Sequence, residues 1–177
     1  MNKKALLVVL ALAIVLLAAP YIGMVHATGK GSTKQYYEFY LKGSYGPGPD
    51  TKVWITEDNV EQVRNLVLHA SYIEVTVGTT TYTPNPASYS ALMDFTLDLN
   101  TRTLNARIHE SFAVAGGTID QQTAETVTNY GTSYNGGGNF VGSGSGTLEG
   151  VKIQGTTGFD FTNGFAIDRV GIVMGWP

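Results

Sequence analysis

The chain has 177 residues, with 11 Lys and Arg against 14 Asp and Glu, and it contains no Cys. The lack of Cys excludes disulfides and a lipid-modified Cys. The charge is mildly acidic and no basic cluster occurs, so binding to nucleic acid or to an anionic membrane is not expected.

The first 27 residues have the three parts of a secretory signal in the correct order. Lys3 and Lys4 form a positive start, and an unbroken apolar run follows over 5–19 until a proline ends it. Val25 and Ala27 then occupy the −3 and −1 positions of a peptidase site. This order predicts a signal peptide that is cleaved after Ala27.

The predicted organisation is therefore a signal peptide over 1–27 and one domain over 28–177. Removing Lys3 and Lys4 leaves 9 basic residues against 14 acidic ones, a net charge of −5. The expected location is secreted or extracytoplasmic. The alternative is an uncleaved membrane anchor over 5–25, since that stretch approaches the roughly 20 apolar residues that a membrane span needs.

Glycines, threonines and tyrosines dominate the domain, and its apolar residues alternate at the spacing of β-strands. Two stretches instead predict short helices: 59–65, where Asp58 and Glu61 have capping-box spacing, and 118–127. The loop over 78–88 starts with residues that favour a short strand at 79–82. Taken in chain order, the predicted strands cover 36–41, 53–55, 66–77, 91–99, 104–112, 139–146, 152–161 and 165–176.

The clearest element is a hairpin over 91–112. Pairing Leu99 with Leu104 keeps the apolar residues of both strands on one face. The same register sets Asp94 opposite His109 on the other face.

Seven or eight strands in consecutive, hairpin-linked order predict an all-β fold. An antiparallel meander of this many twisted strands tends to close into a barrel, because closure removes exposed edges. A two-sheet β-sandwich is the alternative.

The stretch 142–156, Gly-Ser-Gly-Ser-Gly-Thr-Leu-Glu-Gly-Val-Lys-Ile-Gln-Gly-Thr, is the most distinctive in the chain. It resembles the closing hairpin of the allene-oxide-cyclase and dirigent-like barrels, where a Gly-x-Gly-x-Leu-x-Gly-Val/Ile-x-x-x-Gly pattern joins two strands. The whole chain is also similar to small signal-bearing archaeal secreted proteins of uncharacterised role. The first resemblance implies an eight-stranded antiparallel barrel, often oligomeric, with an apolar pocket. None of that family's functional residues matches a position of this chain.

The best acid/base candidate on this register is Asp94 beside His109, since a carboxylate orients an imidazole and raises its pKa. We favour the simpler interpretation that the two residues form an exterior pair, because they lie opposite the apolar face.

Glu110 is the more unusual residue, because it falls on the apolar face, opposite Met93. We favour a position at the barrel end, where its carboxylate reaches solvent. If Glu110 instead lies inside, it is the first residue to test for ligand recognition or catalysis. The apolar side chains around it are the candidate ligand contacts: Met93, Phe95, Ile108 and Phe112.

No standard catalytic, metal or phosphate motif occurs, and no cofactor is expected. The sequence favours a non-enzymatic exported barrel that binds a small apolar ligand or acts as an extracellular interaction module. A homo-oligomer is compatible with either role. One alternative is a cofactor-independent cyclase or isomerase that uses an acid such as Glu110. Another is a subunit of an extracellular assembly, in which the segment 28–40 would pair with the sheet edge of a neighbouring subunit.

Overall fold

A computed structural model describes residues 33–131, 135–160 and 165–177, without the side chains of Asn135, Asp160 and Phe165. The predicted signal segment lies outside these residues. Within them the chain is all-β, and the only helical piece is a single 3₁₀ turn at Pro86–Ser88. No helix in the described ranges has the length and hydropathy needed to cross a membrane.

The described residues form nine strands, numbered here in chain order. They are β1 (Gln35–Ile55), β2 (Val60–Val77), β3 (Thr80–Tyr82), β4 (Ser90–Asp98), β5 (Thr103–Val114), β6 (Gly117–Thr128), β7 (Asn135–Gly146), β8 (Lys152–Asp160) and β9 (Phe165–Met174).

Every strand pairing is antiparallel, and eight of the strands form a ring. From β4 to β9 each strand pairs with the next in sequence, and β9 then pairs with β1, β1 with β2 and β2 with β4. The short β3 lies outside the ring and pairs with the end of β2. The predicted all-β, barrel-like meander is confirmed.

Both predicted helices are wrong. Residues 60–65 begin β2, after a turn in which Asn59 adopts a positive φ of 59°. Residues 118–127 belong to β6, where inward and outward side chains alternate strictly. β6 lacks a visible hydrophobic alternation because polar residues occupy both of its faces.

The register of the β4–β5 hairpin differs from the prediction by two residues. Leu97, rather than Leu99, pairs with Leu104, and residues 99–102 form the turn. Asp98 fixes this turn, since its carboxylate accepts hydrogen bonds from the backbone N–H groups of Asn100 (2.8 Å) and Thr101 (3.1 Å). A shift of two residues preserves the faces, so the predicted apolar face is correct but the opposing pairs are not.

The N-terminal strand does not extend toward a neighbouring subunit over its described part. Residues 35–43 of β1 pair with β9 on one side, and most of them pair with β2 on the other. The assembly hypothesis therefore has no support from Gln35 to Tyr40, and the earlier part of that segment lies outside the described residues.

Glycines on β8 and β9 let two strands approach closely beneath the ring of Phe140. Gly155 and Gly171 face each other across the β8–β9 pair. A Cβ on Gly155 would collide with the backbone oxygen of Val170, and it would lie 2.8 Å from the Phe140 ring. The missing side chain at Gly155 leaves room for the Phe140 ring of the neighbouring strand β7.

Candidate functional site

The largest fully buried side chain in the barrel is an arginine. Arg169 lies on β9 and is 0% exposed. Its Nη1 lies 2.5 Å from Oε1 of Glu110 on β5, and its Nη2 donates a hydrogen bond to Oγ1 of Thr123 on β6 at 2.9 Å. Its guanidinium also stacks over the rings of Phe39, at 5.0 Å, and Phe140, at 5.7 Å. Arg169 thus joins strands on opposite walls of the barrel through charge-assisted and cation–π contacts.

Further polar side chains extend this network from Arg169 and Glu110. Gln121 accepts a hydrogen bond from Arg169 at 3.3 Å and donates one to the hydroxyl of Tyr37. The hydroxyl of Tyr89, next to the 3₁₀ turn, donates to Oε2 of Glu110 at 2.9 Å. We call these residues, with Glu125 and Thr157, the interior cluster: Tyr37, Tyr89, Glu110, Gln121, Thr123, Glu125, Thr157 and Arg169.

Glu110 therefore lies inside the barrel, and the predicted position at the solvent-exposed end is wrong. Burial raises the pKa of Glu110, and the charge of Arg169 opposes that rise. Burial also raises the pKa of Tyr37 and of Tyr89, so both phenols stay protonated and can donate hydrogen bonds.

Glu125 is the one carboxylate of the interior cluster without a direct cationic partner. It lies on β6, is 4% exposed, and neither of its oxygens has a hydrogen-bond partner among the described residues. Burial raises its pKa from 4.5 to about 7, while Arg169 and the nearby Thr157 oppose the rise. Thr157 is thus close to Glu125, although the two side chains do not meet hydrogen-bond geometry.

Four buried polar atoms around this carboxylate have no partner in hydrogen-bond geometry among the described residues. They are both oxygens of Glu125, Oγ1 of Thr157 and Nε of Arg169. Thr157 and Arg169 face each other across the β8–β9 pair, and Gly138 separates Thr157 from Glu125 across β7. We call this group the Glu125 site. Buried polar atoms are almost always hydrogen-bonded, so a water, ion or small molecule bound here would complete the hydrogen bonds of these four atoms.

On the side of the β6–β7 connection, the Glu125 site borders the buried Val127 and the backbone of Gly136. A Cβ on Gly136, near the start of β7, would lie 3.5 Å from Oε1 of Glu125. This end carries the β6–β7 and β8–β9 connections. The opposite end is filled by Leu148, which is fully buried, and by Trp176 packed against Tyr82.

Asp94 and His109 do not form the predicted pair. Asp94 stands opposite Arg107, and its carboxylate accepts the N–H of Asn65 at 2.9 Å and lies 3.4 Å from Nη1 of Arg64. The irregularity of β2 at residues 64–65 turns these groups toward Asp94. Asp94 thus stabilises a β-bulge and contributes no group to the interior cluster.

His109 lies on the outer surface, opposite Leu92 and Gln122. It lines a shallow open groove of about 300 Å³ together with Arg107, Gln122, Asn139 and Val141. In the described ranges no three His, Asp or Glu residues are grouped so that they could hold a metal ion.

The predicted apolar contacts belong to the packed core. Met93, Ile108 and Phe112 are buried, and Phe95 is partly buried against the same core. Ile108 is two residues from Glu110 on the inward face of β5, and it pairs with Thr123. Ile108 therefore connects the apolar core to the interior cluster.

No family model, curated protein or solved structure matches this chain significantly. The resemblance of residues 142–156 to the allene-oxide-cyclase and dirigent-like barrels therefore remains an expectation, and the site is interpreted from its own geometry.

Most residues of the interior cluster carry no clear signal in the sequence. Gln121, Thr123 and Glu125 were hidden because β6 was predicted as a helix. Arg169 was hidden because β9 has apolar residues on both faces. The available signal was its two-residue spacing from Ile167, which places it on the inward face of that strand.

Proposed function

We propose that the chain is an exported, non-catalytic barrel that binds a small molecule inside and holds a polar group of that molecule at the Glu125 site. The observation that carries this proposal is the group of four buried polar atoms that have no partner in hydrogen-bond geometry among the described residues. Leaving such atoms unpaired costs about 1–3 kcal/mol each, and more for a charged group, so a bound molecule that pairs them would stabilise the fold.

The remainder of the ligand is apolar in this proposal. Val127 and Phe159, which are both buried, flank the Glu125 site along β6 and β8. A ligand with one polar group and an apolar body would match both kinds of surface.

Native mass spectrometry of the protein secreted by its own host tests the proposal. We expect a chain that begins at Thr28 and carries a non-covalently bound small molecule, and we expect Glu125→Gln to lose that molecule. Glu149→Gln, an exposed change near the opposite end of the barrel, is the matched control and should retain it. A wild-type protein that is always free of ligand would contradict the proposal.

One observation favours an enzyme as the second candidate. A carboxyl group whose pKa lies at about 7 can both donate and accept a proton near neutral pH, which suits a general acid or base. A cofactor-independent isomerase would use Glu125 rather than Glu110, because Glu110 is already held by Arg169 and Tyr89. In that case Glu125→Gln would still bind the molecule but would no longer convert it.

A further inference from the structure

The charges inside the barrel do not balance within the described residues. The interior cluster contains two carboxylates, Glu110 and Glu125, and one guanidinium, Arg169. Arg169 is permanently charged and lies closest to Glu110, at 2.5 Å. When Glu125 is ionised, one negative charge is therefore left without a direct positive partner.

The number of unpaired acceptors indicates the chemistry of the missing partner. Three of the four unpartnered atoms can accept hydrogen bonds, namely the two oxygens of Glu125 and Oγ1 of Thr157. A primary ammonium group has three N–H donors and one positive charge. It would pair all three acceptors and balance the charge of Glu125. A carboxylate or phosphate would instead add a second negative charge next to Glu125, which is strongly unfavourable at low dielectric constant.

We propose that the Glu125 site binds the protonated amino group of a small primary amine, with Glu125 as the ion-pair partner and Thr157 as the additional acceptor. This inference rests on the proposed function and specifies the class of its ligand. Nε of Arg169, a donor, lies outside this set and would contact a different atom of the ligand.

A titration with matched small probes tests the inference. The probes are n-propylammonium, 1-propanol and propanoate, which have similar size and differ in charge. Backbone amide resonances of Gly138 and Thr157 report binding by NMR at pH 8, where Glu125 is ionised and the amine is still protonated. We expect saturable shifts with n-propylammonium and at least tenfold weaker binding of the other two probes.

Three variants separate the contributions of the site. Glu125→Gln should weaken n-propylammonium binding at least tenfold, and Thr157→Val should weaken it by a smaller factor. Glu149→Gln should leave it unchanged. Binding to the wild type should also weaken about tenfold for each pH unit below the pKa of Glu125, because protonation removes its charge.

The possible failures are distinguishable. Equal or tighter binding of 1-propanol or propanoate would overturn the amine assignment, while the proposed interior binding would still stand. If none of the probes shifts these resonances, and native mass spectrometry shows no bound molecule, the site holds only water and both proposals are overturned.

Discussion

The ion pair between Arg169 and Glu110 should be essential for stability, because removing Arg169 leaves a buried carboxylate without its cation. Arg169→Met keeps much of the side-chain volume but removes the contacts to Glu110, Thr123 and Gln121. Breaking a buried pair from one side costs about 3–5 kcal/mol. In a domain of this size each kcal/mol lowers the melting temperature by about 2–4 °C, so we expect a decrease of roughly 6–20 °C.

Thermal unfolding followed by circular dichroism measures this decrease. Lys152→Met, an exposed change on β8, is the control and should stay within about 0.5 kcal/mol of the wild type. The double variant Glu110→Leu/Arg169→Met should cost less than the sum of the two single variants, because no charge is then left unpaired. An Arg169→Met protein that melts within about 2 °C of the wild type, or costs that simply add, would refute this reasoning.

Three further predictions concern pH and packing. Burial raises the folded-state pKa of Glu125 above its unfolded value, so the free energy of unfolding should fall as pH rises from about 4.5 to about 7. In urea titrations at pH 5 and pH 8, Glu125→Gln should remove roughly 3 kcal/mol of that fall, and an unchanged pH profile would contradict this. Gly155→Ala should lower the free energy of unfolding by about 1–3 kcal/mol in chemical denaturation, because the added Cβ collides with the backbone of β9. Gly46→Ala, with open space around it, should be near neutral, and equal losses would argue against the close approach of β8 and β9. Leu148→Ala should lower the free energy of unfolding by about 2–5 kcal/mol, measured by thermal unfolding, because Leu148 is fully buried. Leu99 is half-exposed, so Leu99→Ala should lower it by less than about 1 kcal/mol, and the reverse order would show that Leu148 does not fill the barrel end.

The fold class is predictable because apolar and polar residues alternate along most of the strands, and this pattern is visible in the sequence alone. β5 is the clearest case: its inward positions are almost all apolar, so the strand and its buried face were both predicted correctly. The register between β4 and β5 is not predictable in this way, since a shift of two residues keeps the same side chains on the buried face. Here a local contact decided the register, namely the carboxylate of Asp98 bound to the turn.

The interior cluster was mostly beyond sequence reasoning, for a related reason. A strand that turns polar side chains inward looks the same in sequence as a polar strand or an exposed helix, and β6 is such a strand. Glu110 stands out in the sequence because it interrupts an apolar face. The significance of Arg169 depends on contacts with Glu110, Gln121 and Thr123, which lie more than 40 residues away on strands that do not pair with β9. Glu125 gives no signal because it is one of several polar residues on the inward face of β6.

The most direct test of the account is a high-resolution crystal structure of the mature protein purified from its own host. We expect electron density for a small molecule within hydrogen-bonding distance of both oxygens of Glu125 and of Oγ1 of Thr157. A structure in which these atoms are paired only with each other, with Arg169 or with ordered water would contradict it.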